Sequence, residues 1–279
     1  MLAIAQITDL HCRPAGATAL GFVPTNTFAQ RAVDAIRALS PAPHLVLVTG
    51  DLTDLGEPSA YESARAALSR LSMPVLVTPG NHDRREAMRA AFADWPGIAH
   101  AEGPRLNSAV ELESAAVVVL DSLVEGEPHG LVGDEQLAWL DRTLGRFADK
   151  PVLIAVHHPP IHTGIAHMDA IALKDRAALA EVIARHPSVD LVVTGHVHRQ
   201  IAGRIAQARV IAIPGTAHQV AFDLDPSGPP HFVMEPPAYA VHLLTEEGFT
   251  SHLAYVERHD GPYDFRRSAG VVWPSYPSA

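Results

Sequence analysis

The feature that most constrains this chain is a series of six short apolar runs, with a helix-like segment between each run and the next. Six runs rich in valine, leucine and isoleucine predict β-strands, at residues 2–8, 44–50, 74–80, 115–121, 151–158 and 190–196. Helices are predicted at residues 27–39, 58–71, 84–95, 134–147 and 174–186. Continuously apolar strands are typical of sheets that are covered on both faces, and strands alternating with helices indicate α/β layering.

Two of these helices carry start signals. Pro58 suits the first helical position, where its missing N–H costs no hydrogen bond. Asp134 is predicted to be the N-cap that precedes the helical sequence EQLAWLDRTLGRF. Both signals support the helix assignments.

The composition narrows the class of protein. Hydrophobic residues make up 47% of the 279 residues, which is enough for a large core, and the formal net charge of −10 argues against a nucleic-acid polymer as partner. Cys12 is the single cysteine, which excludes an intramolecular disulfide and a cysteine-based zinc knuckle. The N-terminal MLAIAQITDLH has no basic start, and no apolar run reaches the ~20 residues of a membrane span. We therefore predict a cytoplasmic protein with no membrane partner.

Carboxylate, amide or imidazole side chains follow most of the predicted strands. In chain order, five strand ends carry Asp9 and His11, Asp51 and Asp54, Asn81 with His82 and Asp83, His157 and His158, and His196 and His198. In open α/β sheets, ligands bind in the crevice outside the carboxyl ends of the strands. A single histidine of this kind is more often structural than functional. Five strand ends bearing such groups predict that they meet in one site.

These residue types suit divalent metals. Carboxylates and neutral imidazoles bind Zn²⁺, Mn²⁺, Co²⁺ and Fe²⁺. The pairs Asp9-x-His11 and His196-x-His198 are expected to send both side chains to one side, because residues two apart in a strand share a face. A glycine is expected to let the backbone turn sharply before three of the ligands, namely Asp51, Asn81 and His196.

On these motifs the chain resembles the calcineurin-like metallophosphoesterases. The blocks that carry the resemblance are Asp9-x-His11, Gly50-Asp51-x-x-Asp54, Gly80-Asn81-His82-Asp83, His157 and Gly195-His196-x-His198. Residues 164–175, 214–220 and 235–244 resemble the branch of class III cyclic nucleotide phosphodiesterases and bacterial glycerophosphodiesterases. The resemblance extends from residue 2 to about residue 265.

The resemblance implies a fold. We expect a four-layer α/β/β/α sandwich with a C-terminal excursion, in which residues 1–222 form the catalytic core. Residues 223–279 are expected to supply a proline-rich excursion, returning strands and a tail within the same domain, as a cap or in oligomerisation. The tail, residues 266–279 with Trp273 and Tyr276, is predicted to dock on a neighbouring subunit of a homo-oligomer.

The resemblance also implies a ligand set for two divalent metal ions per chain, drawn from Fe, Mn, Zn and Co. The first ion would be held by Asp9, His11 and His198, and the second by Asn81, His157 and His196. Asp51 would bridge the two ions. Asp54 has no implied ligand role and is interpreted as a supporting or capping residue.

Residues beside the ligands have open assignments. His82 is predicted to stabilise the phosphate electrostatically or to protonate the leaving group, with Asp83 either orienting its imidazole or capping the next helix. Substrate contacts are predicted for Ser122, His218 and His158, each with a structural role as the alternative. His167, Met168 and Asp169 are candidates for the pocket mouth, with a structural role in their loop as the alternative. His231, His242, His252 and His259 are interpreted as structural or exposed.

The implied function is metal-dependent hydrolysis of a small phosphodiester by a hydroxide that bridges the two ions. A 3′,5′-cyclic nucleotide such as cAMP and a glycerophosphodiester both fit, with phosphonate monoester or phosphomonoester hydrolysis as the alternative. A nuclease is disfavoured by the negative net charge and the lack of a basic stripe. A catalytically inactive scaffold is disfavoured because every expected ligand and His82 are present.

Overall fold

The computed structural model describes residues 1–101 and 103–264, so the predicted tail with Trp273 and Tyr276 lies outside the described residues. The six strands predicted from the apolar runs are all present, as β1 Ala3–Ile7, β2 Leu45–Thr49, β3 Val75–Thr78, β5 Ala116–Leu120, β6 Val152–Val156 and β7 Val189–Thr194. Further strands are β4 Ser108–Glu111, β8 Ile201–Ile205, β9 Ala208–Ala212, β10 Gln219–Val220, β11 Phe232–Val233, β12 Ala238–Thr245 and β13 Gly248–Tyr255.

The helices follow the predicted alternation with strands. They are α1 Thr25–Arg37, α2 Pro58–Leu68, α3 Arg85–Ala91, α4 Pro96–Ala99, α5 Asp134–Gly145, α6 Ala166–Ala170 and α7 Arg176–Ala184. Pro58 begins α2 as predicted. The N-cap assignment of Asp134 is wrong, because α5 begins at Asp134 itself and Gly133 precedes it with φ 81°. The Asp175 carboxylate accepts a hydrogen bond from the Gly133 backbone N–H and so fixes this helix start.

The strands form two large sheets and a two-stranded ribbon. The first sheet has the order β13-β12-β1-β2-β3, and the second has the order β4-β5-β6-β7-β9-β8. The pairs β1–β2 and β2–β3 are parallel, as are β5–β6, β6–β7 and β7–β9. β12 pairs antiparallel with β1, so the chain beyond residue 223 returns to the first strand. The ribbon consists of β10 and β11.

The two sheets pack face to face with a helical layer outside each. Leu45 and Leu47 of β2 belong to the core between the sheets, together with Val117 and Val119 of β5. Val46 lies on the opposite face of β2 and packs against α1 and α2, which cover that side of the first sheet. The second sheet is covered in the same way by α5 and α7. The fold is therefore the expected four-layer α/β/β/α sandwich, and its strands are continuously apolar because both of their faces are buried.

The strands that the apolar pattern missed lie where one face is open. In β8 and β9 buried and partly exposed residues alternate, so neither strand reads as a continuous apolar run. The parallel strands β1, β2 and β3, and likewise β5, β6 and β7, direct their carboxyl ends to one edge of each sheet. Because the sheets are packed together, the turns that follow these strands meet. Among the described residues, no helix is long and apolar enough to cross a membrane.

Candidate metal centre

The predicted ligands lie just beyond the strand ends, in an unusual backbone conformation. Positive φ angles are found at several of them, with 54° at Asp9, 45° at His11, 49° at Asp51, 68° at His196 and 46° at His198. Residues other than glycine seldom adopt this left-handed conformation, and such strain concentrates at functional sites. The predicted reason for the Asp-x-His geometry is therefore wrong. The side chains converge through left-handed turns and not through the alternation of an extended strand.

The turn after β1 and the turn after β7 build the first cluster of ligands. His198 Nε2 lies 3.1 Å from Asp9 Oδ1 and 3.2 Å from His11 Nε2. His11 Nε2 also lies 3.8 Å from Asp51 Oδ2. All four side chains are almost fully buried. The imidazole nitrogens and carboxylate oxygens of these four residues therefore converge on one common position.

The second cluster lies on the other side of Asp51. Asn81 Oδ1 lies 2.9 Å from His196 Nδ1 and 3.2 Å from His157 Nε2. His157 Nε2 is in turn 3.3 Å from Asp51 Oδ2. The structure therefore brings together all seven side chains that the resemblance implies as ligands, in two groups with Asp51 between them.

Backbone carbonyls fix the tautomers of two of the imidazoles. His157 Nδ1 donates a hydrogen bond to the Thr49 carbonyl at 2.8 Å, and His198 Nδ1 donates to the His218 carbonyl at 2.8 Å. Each Nε2 therefore faces the cluster, where its lone pair can bind a metal ion once the ring has lost its second proton. A divalent cation is the partner that suits such converging lone pairs. Two ions with Asp51 between them fit this donor set.

The charges of the cluster also suit cations. Burial favours the neutral form of Asp51, but His157 and His82 outweigh it and hold the pKa of Asp51 well below its usual value. His157 is buried too, yet the Asp51 carboxylate raises its pKa to about 9. Burial and the neighbouring His157 lower the pKa of His196 to about 3, so this imidazole is neutral. The centre thus holds ionised carboxylates whose charge a metal ion would balance.

Glycine is required at two of the turns for different reasons. Gly50 has φ 96°, and a Cβ atom on it would collide with the His157 ring. A Cβ atom on Gly195 would collide with Thr8 Oγ1 and crowd the Asp9 carboxylate. Close approach of neighbouring turns is therefore as important as backbone freedom at these positions.

His82 lies at the edge of the centre and is only partly buried. Its Nδ1 donates to the Asp54 carbonyl at 2.7 Å, and its backbone N–H donates to Asp51 Oδ1 at 2.8 Å. Its ring packs edge-on against His11, with the ring centroids 4.7 Å apart. Burial disfavours the imidazolium, but Asp51 and the Asp54 carbonyl outweigh it and raise the pKa of His82.

Asp54 supports its neighbours, in agreement with the interpretation from sequence. Its Oδ1 lies 3.3 Å from His11 Nδ1, and its Oδ2 lies 3.5 Å from the guanidinium of Arg13. Its carbonyl accepts the hydrogen bond from His82. The residue thus orients two imidazoles, one through its side chain and one through its backbone.

The structure contradicts both predicted roles of the Asp83 side chain. It neither bonds to the His82 ring nor caps α3, whose N-cap is Arg84 without a side-chain hydrogen bond. The buried carboxylate instead accepts hydrogen bonds from donors on three segments: the Leu52, Thr53 and Gly80 backbone N–H groups, the Thr53 hydroxyl and the Tyr61 hydroxyl. Burial and the nearby Asp51 carboxylate raise the pKa of Asp83 to about 6. Asp83 therefore ties the turn that carries Asp51 to the turn that carries Asn81.

The predicted substrate contacts of Ser122 and His158 are not supported by the geometry. Both residues are fully buried, and Ser122 Oγ lies 2.8 Å from His158 Nδ1. His158 Nε2 donates to the Pro128 carbonyl at 3.2 Å. The ring packs against His157 and His196, with centroids 4.9 and 4.6 Å away. These residues lie behind the ligands and hold them in place.

A cleft of about 300 Å³ opens above the two clusters. His218 lines it, as do His167 and Met168, at positions consistent with the predicted substrate contact and pocket mouth. Asp169 does not line it and instead accepts hydrogen bonds from the Thr163 and Gly164 backbone N–H groups of its own loop. Leu20, His231 and Phe232 also line it, although their sequence positions gave no such signal. For His231 and Phe232 the hint was the proline-rich segment from residue 223 onward, which was predicted to act as a cap or in oligomerisation.

Comparison with known proteins agrees with this architecture. The family model for calcineurin-like phosphoesterases matches residues 2–200. The chain is 34% identical over 271 residues to a probable glycerophosphodiester phosphodiesterase of Arcobacter nitrofigilis, covering 96% of this chain and 98% of the relative. It is 37% identical over 243 residues to a probable cyclic nucleotide phosphodiesterase of Rhodopseudomonas palustris, covering 86% and 87%.

A solved structure shows the same fold at lower identity. A dimetal phosphatase from Danio rerio superposes with a TM-score of 0.65 and 18% identity, covering 92% of this chain and 99% of the other. The chain belongs to the calcineurin-like phosphoesterase family and is a metal-dependent phosphoesterase. Within that family it belongs to the branch of bacterial glycerophosphodiesterases and class III cyclic nucleotide phosphodiesterases.

Proposed function

We propose that this protein is a phosphodiesterase that binds two divalent metal ions and hydrolyses small phosphodiesters, either 3′,5′-cyclic nucleotides or glycerophosphodiesters. The observation that carries the proposal is the meeting of carboxylate, amide and imidazole groups in two sets around Asp51, beneath an open cleft. The names of the relatives support a diester substrate. The 3′,5′-cyclic adenosine monophosphate phosphodiesterase of Escherichia coli K12 is 32% identical over 216 residues, covering 77% of this chain and 76% of that relative.

The charge of the cleft favours a diester over a monoester. Among the described residues that line the cleft, none is a lysine or an arginine. A phosphate monoester carries nearly two negative charges near neutral pH, whereas a diester carries one. Apart from the metal ions, only the imidazoles among the described lining side chains can carry positive charge. A singly charged diester therefore matches the site better than the alternative phosphomonoester.

Each main feature of the geometry has a place in the proposed reaction. When bound, two divalent ions would supply an activated water and neutralise charge on the phosphate. Asn81 and the imidazoles of His157 and His198 would hold those ions through the atoms that face the clusters. His82 stands at the cleft with Nδ1 bonded to the Asp54 carbonyl, so its Nε2 can deliver a proton to the oxygen of the leaving alcohol.

A substrate panel on metal-loaded protein tests the proposal. After reconstitution with Mn²⁺ or Co²⁺, bis(p-nitrophenyl) phosphate is compared with p-nitrophenyl phosphate at equal concentration, because both release nitrophenolate, and hydrolysis of cAMP and glycerophosphoethanolamine is measured beside them. The nitrophenyl diester should be hydrolysed at least about tenfold faster than the nitrophenyl monoester, because the described lining of the cleft has no lysine or arginine for a second phosphate charge. Asp51→Asn protein, treated in the same way, serves as the inactive control. Faster hydrolysis of the monoester would contradict the proposal.

Two further predictions from the sequence concern the location and the assembly of the protein. We propose that the protein acts in the cytoplasm and assembles as a homo-oligomer. Light scattering on the purified full-length chain would measure its mass, and a monomer at micromolar concentration would contradict the second proposal.

A further inference from the structure

We propose that Leu20, Phe22 and Phe232 form an apolar wall beside the metal centre that holds an aromatic group on the non-leaving side of the phosphodiester. This inference rests on the proposed phosphodiesterase function and assigns the residues that select the ester group. The term apolar wall is used below for these three side chains. They come from two segments that are more than 200 residues apart: Leu20 and Phe232 line the cleft, and Phe22 packs against Phe232 beside it.

The first segment is a tight turn that presents two apolar side chains. Ala19 and Val23 are buried and exchange backbone hydrogen bonds of 2.9 and 2.8 Å, which close the turn between them. Leu20 lies in that turn with φ 50°, a left-handed conformation that leucine rarely adopts. Leu20 and Phe22 are nevertheless 47% and 63% exposed. A rigid turn therefore holds apolar groups out from the core, at a position where a polar residue or glycine would be expected.

The second segment is the ribbon of β10 and β11. Phe232 is 38% exposed, and its ring lies 6.1 Å from the ring of Phe22, measured between centroids. On its other side the Phe232 ring lies edge-on to His218 at 5.7 Å. His218 lies 4.7 Å from His198 and 5.0 Å from His11. A continuous row of rings thus runs from the metal ligands to the exposed wall.

This row of rings determines which part of a bound substrate the apolar wall can contact. A phosphate bound at the two clusters must place its ester groups in the cleft above His11 and His198. One ester oxygen faces His82, which serves the leaving group, so the other substituent is directed toward the remaining lining. The wall offers ring faces and methyl groups with no charged side chain of its own. Such a surface favours a planar aromatic substituent, whereas a small polar alcohol gains little from it.

A pair of substrates with one leaving group tests the wall directly. Phenyl p-nitrophenyl phosphate and methyl p-nitrophenyl phosphate both release nitrophenolate, so they differ only in the substituent assigned to the wall. For metal-loaded wild-type protein we expect kcat/KM to be about tenfold higher for the phenyl ester. The Phe22→Ala/Phe232→Ala variant should lose this preference through a higher KM for the phenyl ester, while kcat/KM for the methyl ester stays within about twofold.

Two more variants separate a binding role from a structural one. Leu20→Gly suits the left-handed backbone, so it should fold as well as the wild type and still reduce the phenyl preference severalfold. Tyr255→Ala removes an exposed aromatic residue that lies on β13, outside the cleft, and should leave both substrates unchanged.

The outcomes distinguish the wall from the proposed function. If wild-type protein hydrolyses both esters without preference, or if the wall variants keep the preference, the wall is overturned and the diesterase function stands. If metal-loaded wild-type protein hydrolyses neither ester, the proposed function fails, and this inference fails with it. If the Phe22→Ala/Phe232→Ala variant changes its mass in light scattering, the wall is a subunit contact and the assignment to substrate is wrong.

Discussion

At the scale of single residues, the role of each imidazole depends on which of its two nitrogens is hydrogen-bonded to the backbone. His157, His198 and His82 each donate Nδ1–H to a backbone carbonyl, so each presents Nε2 to the site. For His157 and His198 that nitrogen faces the ligand clusters, whereas for His82 it is outside them. The same chemical group would therefore bind metal at two positions and be free to transfer a proton at the third.

His82→Ala should leave the metal content unchanged and reduce turnover by roughly 10²–10⁴-fold, the usual range for general acid–base catalysis. The loss should be larger for cAMP or a glycerol diester than for a nitrophenyl diester, because an alkoxide needs protonation as it leaves. Steady-state rates for both substrate types on the same metal-loaded protein measure this difference. An equal loss would indicate a purely electrostatic role, and loss of a metal would show that His82 is a ligand.

Asp51 and Asp54 offer a matched pair of substitutions. Asp51→Asn should reduce diesterase activity by about three orders of magnitude or more, because it removes the negative charge that lies between the two clusters. Asp54→Asn should cost at most about tenfold, since Asp54 contacts His11 from outside the cluster and its backbone carbonyl is unchanged. Rates and metal content of both variants provide the measurement. Comparable losses would mean that the ligands are misassigned.

Metal affinity should depend on pH through His157. Without metal, Asp51 raises the pKa of His157 to about 9, so below that pH its Nε2 carries a proton that a metal ion must displace. Affinity should therefore rise with pH between about 6 and 8, by about tenfold per unit for each proton released. Calorimetric titration with Mn²⁺ in buffers of different ionisation enthalpy counts those protons. Binding without proton release in this range would contradict the assignment of His157.

At the scale of structural elements, the site is a set of turns that must be held together. The turns after β2 and β3 are joined by the Asp83 carboxylate, which bonds to the Leu52 and Gly80 backbone N–H groups and to the Tyr61 hydroxyl of α2. Because all of its partners are donors, no neutral side chain of the same size can replace it without leaving donors unpaired.

Asp83→Ala should destabilise the protein by ~3–5 kcal/mol, because several buried donors lose their partner at once. Asp83→Asn should also destabilise it, since the amide NH₂ would face a donor. Denaturant unfolding of the metal-free proteins measures both effects, with Asp94→Ala as a control because that carboxylate is at the surface. If Asp83→Ala retained wild-type stability and lost only activity, Asp83 would act on catalysis and not on the turns.

At the scale of the whole molecule, packing one sheet on the other creates the centre. β1, β2 and β3 supply Asp9, His11, Asp51 and Asn81, whereas β6 and β7 of the second sheet supply His157, His196 and His198. Neither sheet alone holds all the side chains of either cluster. Metal binding is therefore coupled to the docking of the two sheets.

Two metal ions should bind per chain with unequal affinity, because one cluster contains a carboxylate where the other has an amide. Elemental analysis after reconstitution with Mn²⁺ or Co²⁺ should approach two ions per subunit, and thermal stability should increase in two steps as metal is added. A firm value of one ion per chain with full activity would contradict the binuclear mechanism.

Much of this architecture follows from local pattern. The six strands were predictable because parallel strands buried on both faces are continuously apolar, and Pro58 marked a helix start through its own chemistry. Edge strands such as β8 were not predicted, because residues on their exposed face interrupt the run of apolar residues. The ligand types and their positions after strand ends were likewise readable, since only certain side chains bind divalent metals.

The tertiary structure decided the contacts between residues that are far apart in sequence. It placed Asp83 among donors from three segments, where local spacing predicted a helix cap or a bond to the neighbouring imidazole. It turned His158 away from the cleft and brought Phe232 against the turn that carries Phe22. A local pattern specifies which groups a turn can offer. Which atoms they meet depends on how distant turns pack, because the free energy of those contacts exists only when the two sheets are docked.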